Sequence, residues 1–141
     1  MKRTKTLVID DDELMLFLFR IMIEDMQRAW DADYFPGAQE ALRYLELKNC
    51  KELHFLIFLD IYMPGTSGWD MLERLKNHSA KNRINIVIVS ASISKKDLEK
   101  AKEYKQVKAY IIKPFLTKNL TELANNPELS EFFEYADHKG H

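Results

Sequence analysis

The chain is poor in the residues that usually announce a specialised architecture. Among its 141 residues it has one cysteine, four glycines, four prolines and two tryptophans, and its charges nearly cancel, with 21 Lys and Arg against 22 Asp and Glu. A lone thiol, Cys50, excludes an internal disulfide and a multi-thiolate metal site and fits a reducing compartment. We read it as a buried spectator thiol. A net charge of −1 leaves no global field to attract nucleic acid or an anionic membrane, and no helix-turn-helix or zinc finger is legible. The longer apolar runs, Leu14 to Phe19 and Phe55 to Leu59, fall far short of the ~20 residues needed to span a bilayer. Met1-Lys2-Arg3 is followed by only Leu7-Val8-Ile9 before three aspartates, too little for an export signal. The expectation is a cytoplasmic protein with no nucleic-acid or membrane partner.

What remains is ordinary globular material, 46% hydrophobic and 30% charged, in a length that suits one domain. The few Gly and Pro residues fall where the hydrophobic pattern changes. Thr6 to Ile9 reads as a strand ending in Asp10-Asp11-Asp12, followed by a helix from Glu13 to Arg28 that is apolar on most of its circumference. Ala32 to Phe35 is a second strand, and Pro36-Gly37 leads into a helix over Ala38 to Lys48. His54 to Leu59 is a third strand ending at Asp60. The loop Met63-Pro64-Gly65-Thr66-Ser67-Gly68 then opens a helix over Trp69 to Asn77. Ile84 to Val89 is a β-branched strand ending at Ser90-Ala91-Ser92; Ser94 caps a helix from Lys95 to Tyr104; Val107 to Ile112 is a fifth strand ending at Lys113-Pro114. A last helix starts near Thr117, breaks at Asn125-Asn126-Pro127 and resumes to Ala136.

Strands alternating with helices, several of them apolar throughout, predict a doubly wound α/β fold: a five-stranded parallel sheet with helices on both faces. In such sheets ligands bind beyond the carboxyl ends of the strands, so the informative polar residues stand just after each apolar run. They are Asp10, Asp11 and Asp12, then Asp60, Ser90 and Lys113. Close carboxylates raise one another's pKa and cost stability unless a cation relieves them. Oxygen donors with no thiolate or paired histidine suit a hard ion, and a few carboxylates with open positions suit Mg²⁺ better than Ca²⁺. With a lysine and a hydroxyl added, these are the parts phosphoryl transfer uses.

At these residues the sequence resembles the response-regulator receiver domains of two-component signalling, the CheY-like family. The resemblance spans about residues 5–124 and rests on four motifs in order. They are Leu7-Val8-Ile9-Asp10-Asp11-Asp12, Asp60 to Gly68, Ile88-Val89-Ser90-Ala91, and Tyr110-Ile111-Ile112-Lys113-Pro114-Phe115. The resemblance implies strand order 2-1-3-4-5, with residues 1–124 as the receiver and 125–141 as a helical extension and tail, leaving no separate output domain. It implies that Asp60 is the phosphoacceptor, taking a phosphoryl group from a histidine kinase or histidine phosphotransfer protein. Asp11 and Asp60 would bind Mg²⁺ directly with the backbone carbonyl of Tyr62, and Asp10 through water. Lys113, before a cis Pro114, and Ser90 would hold phosphoryl oxygens, with small Ala91 leaving room. Ser90 and Tyr110 would be the switch, altering the face formed by the fourth helix, fifth strand and fifth helix, where a downstream protein binds. A monomer or weak dimer is expected, without enzymatic turnover beyond slow self-phosphorylation and self-dephosphorylation.

Some residues admit other readings. Asp12, one place past the matching pair, is read as the cap of the first helix. Asp10-Asp11-Asp12 also reads as Asp-x-Asp, so a phosphatase of the haloacid-dehalogenase class using Asp10 and Asp12 is the alternative enzyme. A pseudo-receiver that binds without phosphorylation is the alternative binding module. Ser90 stands where the family often has threonine. Tyr62 is bulky beside the phosphoryl site, where it would keep out hydrolytic water. The lysines at 95, 96, 100, 102, 105 and 108 read as a solvated face, with an acidic partner as the alternative. The four histidines have no ligand spacing. Leu129, Phe132, Phe133 and Tyr135 form an apolar stripe that would pack on the fifth helix or serve a partner or dimer.

Overall fold

A computed structural model describes residues 3–25 and 30–133. Five strands form one parallel sheet in the order β2-β1-β3-β4-β5, with β1 at Arg3–Ile9, β2 at Ala32–Phe35, β3 at Leu53–Leu59, β4 at Ile84–Ser90 and β5 at Val107–Ile112. The helices are α1 (Glu13–Asp25), α2 (Ala38–Lys48), α3 (Gly68–Lys76), α4 (Lys95–Ala101) and α5 (Thr117–Ala124), with 3₁₀ turns at Lys81–Arg83 and Pro127–Phe132.

The period-two alternation of the strands divides the interior into two cores. Leu7 and Ile9, Phe55, Ile57 and Leu59, and Ile84, Ile86 and Ile88 point to one face, where α2 and α3 bury Ala41, Leu45, Met71, Leu72 and Leu75 against them. Val8, Leu56, Phe58, Val87 and Val89 point to the other face, covered by Phe19 and Ile23 of α1 and Leu120 and Leu123 of α5. A sheet buried on both faces needs apolar residues in both phases, which is why β3 and β4 read as continuous apolar runs.

Among the described residues the buried charge within a strand is Lys5, whose side chain is 7% exposed and whose ammonium reaches Asp31 at 2.6 Å and Asp33 at 3.0 Å. Burial opposes its charge, and the two carboxylates outweigh that and hold its pKa above the ordinary value.

Several expectations need correction. The fourth helix ends at Ala101 rather than Tyr104: the N–H groups of Lys102, Glu103 and Tyr104 bond carbonyls three residues back, tightening the chain. That turn buries Tyr104, whose ring stacks 6.2 Å from Trp69 and whose hydroxyl donates to Glu73 Oε2 at 2.5 Å. The first helix is described to Asp25; the expected remainder to Arg28 lies outside the described residues. Cys50 is half-buried rather than buried, and its Sγ accepts a hydrogen bond from Arg3 Nη2 at 3.3 Å.

After α5 the chain forms a 3₁₀ turn, not a resumed α-helix. Asn126 Oδ1 accepts the Glu128 N–H at 2.9 Å and Pro127 takes the first position. The three-residue period puts Leu129 and Phe132 on one side. With Phe133 they join the α1/α5 core, and the Phe132 carbonyl accepts the Trp30 indole N–H at 2.6 Å. Tyr135 and the expected continuation to Ala136 lie outside the described residues. Leu129 is fully buried and Phe132 1% exposed, so Leu129→Ala or Phe132→Ala is expected to cost about 2–5 kcal/mol in denaturant unfolding. A loss under ~0.5 kcal/mol, the usual range for surface positions, would show that this segment is not part of the core.

Candidate functional site

The sheet order makes β1 the turning point: its two neighbours, β2 and β3, lead away in opposite directions, opening a crevice at their carboxyl ends. Backbone bonds hold the chain there. Asp60 N–H donates to the Ile9 carbonyl at 3.0 Å, Asp10 N–H to Phe35 at 3.1 Å, and Lys113 N–H to Ser90 at 2.9 Å. Of the residues singled out at the strand ends, Asp10, Asp11, Asp60 and Lys113 therefore meet. One carboxylate oxygen from each of Asp10, Asp11 and Asp60 lies within 4.8 Å of the others. Lys113 Nζ stands 2.9 Å from Asp10 Oδ2 and 3.2 Å from Asp60 Oδ2. Its bond to Pro114 is cis.

Burial raises the Asp60 carboxyl above its ordinary pKa, Asp10 adds repulsion, and Lys113 and the Tyr62 N–H work against both. For Lys113, burial disfavours the charge, but Asp10 and then Asp60 outweigh it and keep the ammonium firmly protonated. Three hard oxygen donors, two of them buried, with one lysine to balance them, are a donor set that fits Mg²⁺.

The loop after β3 is shaped by two glycines. Gly65 has φ +76°, a conformation that side chains disfavour. At Gly68 a Cβ would lie 2.5 Å from Ile61 Cα and 2.6 Å from the Asp60 carbonyl oxygen, so any larger residue would displace the backbone that carries Asp60. Ser67 and Asp70 cap α3 reciprocally, at 3.2 and 3.1 Å, fixing where the loop ends.

Asp12 is in the same acidic run but turns away. Its Oδ1 accepts the N–H groups of Leu14 at 3.0 Å and Met15 at 3.4 Å, as a helix cap does. The Asp-x-Asp pair that a phosphatase would need is thus split between the pocket and α1.

A receiver-domain model matches residues 6–125. The chain belongs to the response regulator receiver domain family. This receiver is 25% identical over 136 residues to the chemotaxis protein CheY-3 of Vibrio cholerae, covering 94% of each chain. It is 26% identical over 123 residues to the phosphate regulon transcriptional regulatory protein PhoB of Rhizobium meliloti, where the match takes in 82% of this chain but about half, 48%, of that protein. A two-component response regulator from Cytophaga hutchinsonii superposes with a TM-score of 0.79 at 28% identity, over 93% of this chain and 99% of that one. Among the described residues no helix is long and apolar enough to cross a membrane.

Ser90 is fully buried, its Oγ accepting the Ser92 N–H at 3.1 Å. Tyr110 is half-buried, and its hydroxyl donates to the Ser92 carbonyl at 3.0 Å. Tyr62 N–H donates to Asp60 Oδ1 at 3.2 Å, while the residue, 56% exposed, reaches across to α4, where its hydroxyl donates to Asp97 Oδ2. Asp97 is the residue that sequence reasoning missed. In the sequence it reads as a first-turn helix acid after the Ser94 cap, and nothing connects it to Tyr62, 35 positions earlier. The Ser92 hydroxyl, and then Tyr62's, hold the Asp97 carboxyl below its ordinary pKa.

Of the basic residues around α4, Lys100 lies 4.5 Å over the Trp69 ring and Lys108 pairs with Glu128 at 2.9 Å. Histidines 54 and 78 pair with Glu131 at 3.3 Å and Glu46 at 3.0 Å; His138 and His141 lie outside the described residues.

The raised Asp60 pKa has a thermodynamic consequence. Above the folded-state pKa the carboxylate is ionised at greater cost than in the unfolded chain; below the unfolded value both states are protonated and the cost vanishes. In metal-free buffer, Asp60→Asn is expected to raise the melting temperature at pH 7, with the gain shrinking as pH falls to the ordinary carboxylate pKa of ~4. A variant that melts below wild type at pH 7 would refute the crowding.

Proposed function

We propose that this receiver accepts a phosphoryl group on Asp60 from a phosphohistidine of a kinase or phosphotransfer protein and signals by changing a protein-binding face. The gathering of Asp10, Asp11 and Asp60 around the Lys113 ammonium carries the proposal. Asp60 presents a carboxylate oxygen to phosphorus; the new O–P bond forms as the P–N bond of the phosphohistidine breaks, and the electron pair leaves on the imidazole. Lys113, already poised on Asp60, takes one phosphoryl oxygen as its charge develops. The Ser90 hydroxyl, whose oxygen accepts from Ser92, keeps its own proton to donate to another. When bound by Asp10, Asp11, Asp60 and the Tyr62 carbonyl, Mg²⁺ supplies positive charge against the phosphoryl oxygens.

The surface around the pocket suits a passing protein partner. Leu14, Phe17, Leu18 and Ile21 are exposed at i, i+3, i+4 and i+7 along α1, the helix that begins at the pocket. On the far side Ile93, Ile112 and Leu116 are exposed near the α4-β5-α5 face, which we assign to the downstream partner. Ser90 and Tyr110 both bond Ser92, so a move of Ser90 toward a phosphoryl oxygen is felt by Tyr110. We assign no turnover of a separate substrate, only slow self-phosphorylation and self-dephosphorylation, and place the reaction in the cytoplasm beside its phosphodonor.

Incubation with acetyl phosphate and Mg²⁺ is expected to add one phosphoryl mass to the intact wild type and none to Asp60→Asn. An adduct that persists in Asp60→Asn, or none on the wild type, would overturn the proposal.

A further inference from the structure

Asp97 bonds both loops that frame the Asp60 pocket. It stands in the first turn of α4 but is turned inward, 7% exposed. Its Oδ2 accepts from the Tyr62 hydroxyl at 2.5 Å and from the Ser92 hydroxyl at 2.6 Å. An acid in a helix's first turn needs no such partners to interact with the helix dipole; it can do so from water. Here the carboxylate joins two segments of chain.

Tyr62 is the other end of the bridge. Its backbone N–H holds Asp60 Oδ1, so one residue touches the acceptor carboxylate with its main chain and α4 with its side chain. The ring is strung between the β3–α3 loop and α4, and swinging out would break a charge-assisted hydrogen bond. Ser92 is the hub on the α4 side. Besides Asp97 it engages Ser90 Oγ with its N–H, the Tyr110 hydroxyl with its carbonyl, and the Ser94 N–H with its own Oγ at 3.2 Å.

We infer that Asp97 is a positioning residue for the loss of the phosphoryl group: by holding the Tyr62 hydroxyl it keeps that ring across the mouth of the pocket and slows attack by water. The inference rests on Asp60 being the phosphoacceptor. In hydrolysis a water oxygen bonds phosphorus from the side opposite Asp60 as the P–O bond to Asp60 breaks. The carboxylate is restored, and the water's protons leave with inorganic phosphate or pass to solvent. Asp60 follows the carboxyl end of β3 with its side chain 8% exposed, so water reaches it from the loop side, where Tyr62 runs from its N–H on Asp60 Oδ1 to its hydroxyl on Asp97. Ser92 links the same bridge to Ser90, so holding the phosphoryl group and shielding it share one set of bonds.

The test loads the whole chain with acetyl phosphate and Mg²⁺, removes the donor and follows decay of the adduct by intact mass. Asp97→Ala and Tyr62→Phe are each expected to speed decay about fivefold, equivalent to ~1 kcal/mol at 1.36 kcal/mol per tenfold. Because both remove the same bond, the double variant is expected to decay no faster than the faster single one. Glu99→Gln, on the same helix but exposed, is expected to decay like wild type. A purely structural role would lower the melting temperature of Asp97→Ala and leave decay unchanged. Tyr62→Phe, which keeps the ring, carries the test if Asp97→Ala does not fold. Decay equal to wild type in Tyr62→Phe, or rate effects that multiply in the double variant, overturns the inference alone. Absence of any adduct on the wild type overturns the Asp60 assignment and the inference with it.

Discussion

Three carboxylates crowded at the ends of two adjacent strands, answered by one lysine from a third, form the constraint around which the molecule is organised. Like charges this close are unfavourable, and burial makes Asp60 more so. Lys113 relieves part of the cost by standing between Asp10 and Asp60. Its own chain is anchored by the Lys113 N–H on Ser90. The pocket thus depends on β1, β3, β4 and β5 ending at the same level, which the parallel pairing provides: Ile9 lies opposite Leu59, Leu59 opposite Ile88, and, past a register shift at Ile86/Val87, Ser90 opposite Ile112. The stored repulsion also makes the site receptive: an incoming cation removes a penalty the folded chain already carries.

The two cores hold that level steady. Fully buried Phe55, Ile57 and Leu59 on one side and Leu56 and Phe58 on the other lock β3 in place, so Asp60 emerges from the central strand of the sheet. The loops beyond are less enclosed and held by polar bonds. Gly68 lets α3 approach Asp60, and the Tyr62–Asp97–Ser92 bridge spans from there to α4. A rigid sheet thus carries a polar rim held by side-chain hydrogen bonds, and the proposed phosphorylation of Asp60 would act on that rim rather than on the core.

Most of the fold was legible because its physics is local. Ala32 to Phe35, Ala38 to Lys48 and Val107 to Ile112 appear in the structure with the bounds their patterns predict. The apolar and basic spacing of the fourth helix continues past Ala101, whereas Tyr104 is drawn out of helical register to pack on Trp69 and Glu73. The apolar spacing after Asn125 suggests a resumed helix; Pro127 and a three-residue period bury Leu129 and Phe132 instead. Free thiols are commonly buried, but the path of the chain at Cys50 leaves it half-exposed beside Arg3.

By itself the sequence determined the alternation of strand and helix, the faces of each strand, and the polar residues that end them, because hydrophobic period and turn chemistry act between near neighbours. Tertiary structure decided which of those residues share a site. It drew Asp10, Asp11 and Asp60 together, sent Asp12 to cap α1, and closed Tyr62 onto Asp97. Contacts between side chains far apart along the chain depend on strand order and loop path, which no local pattern encodes.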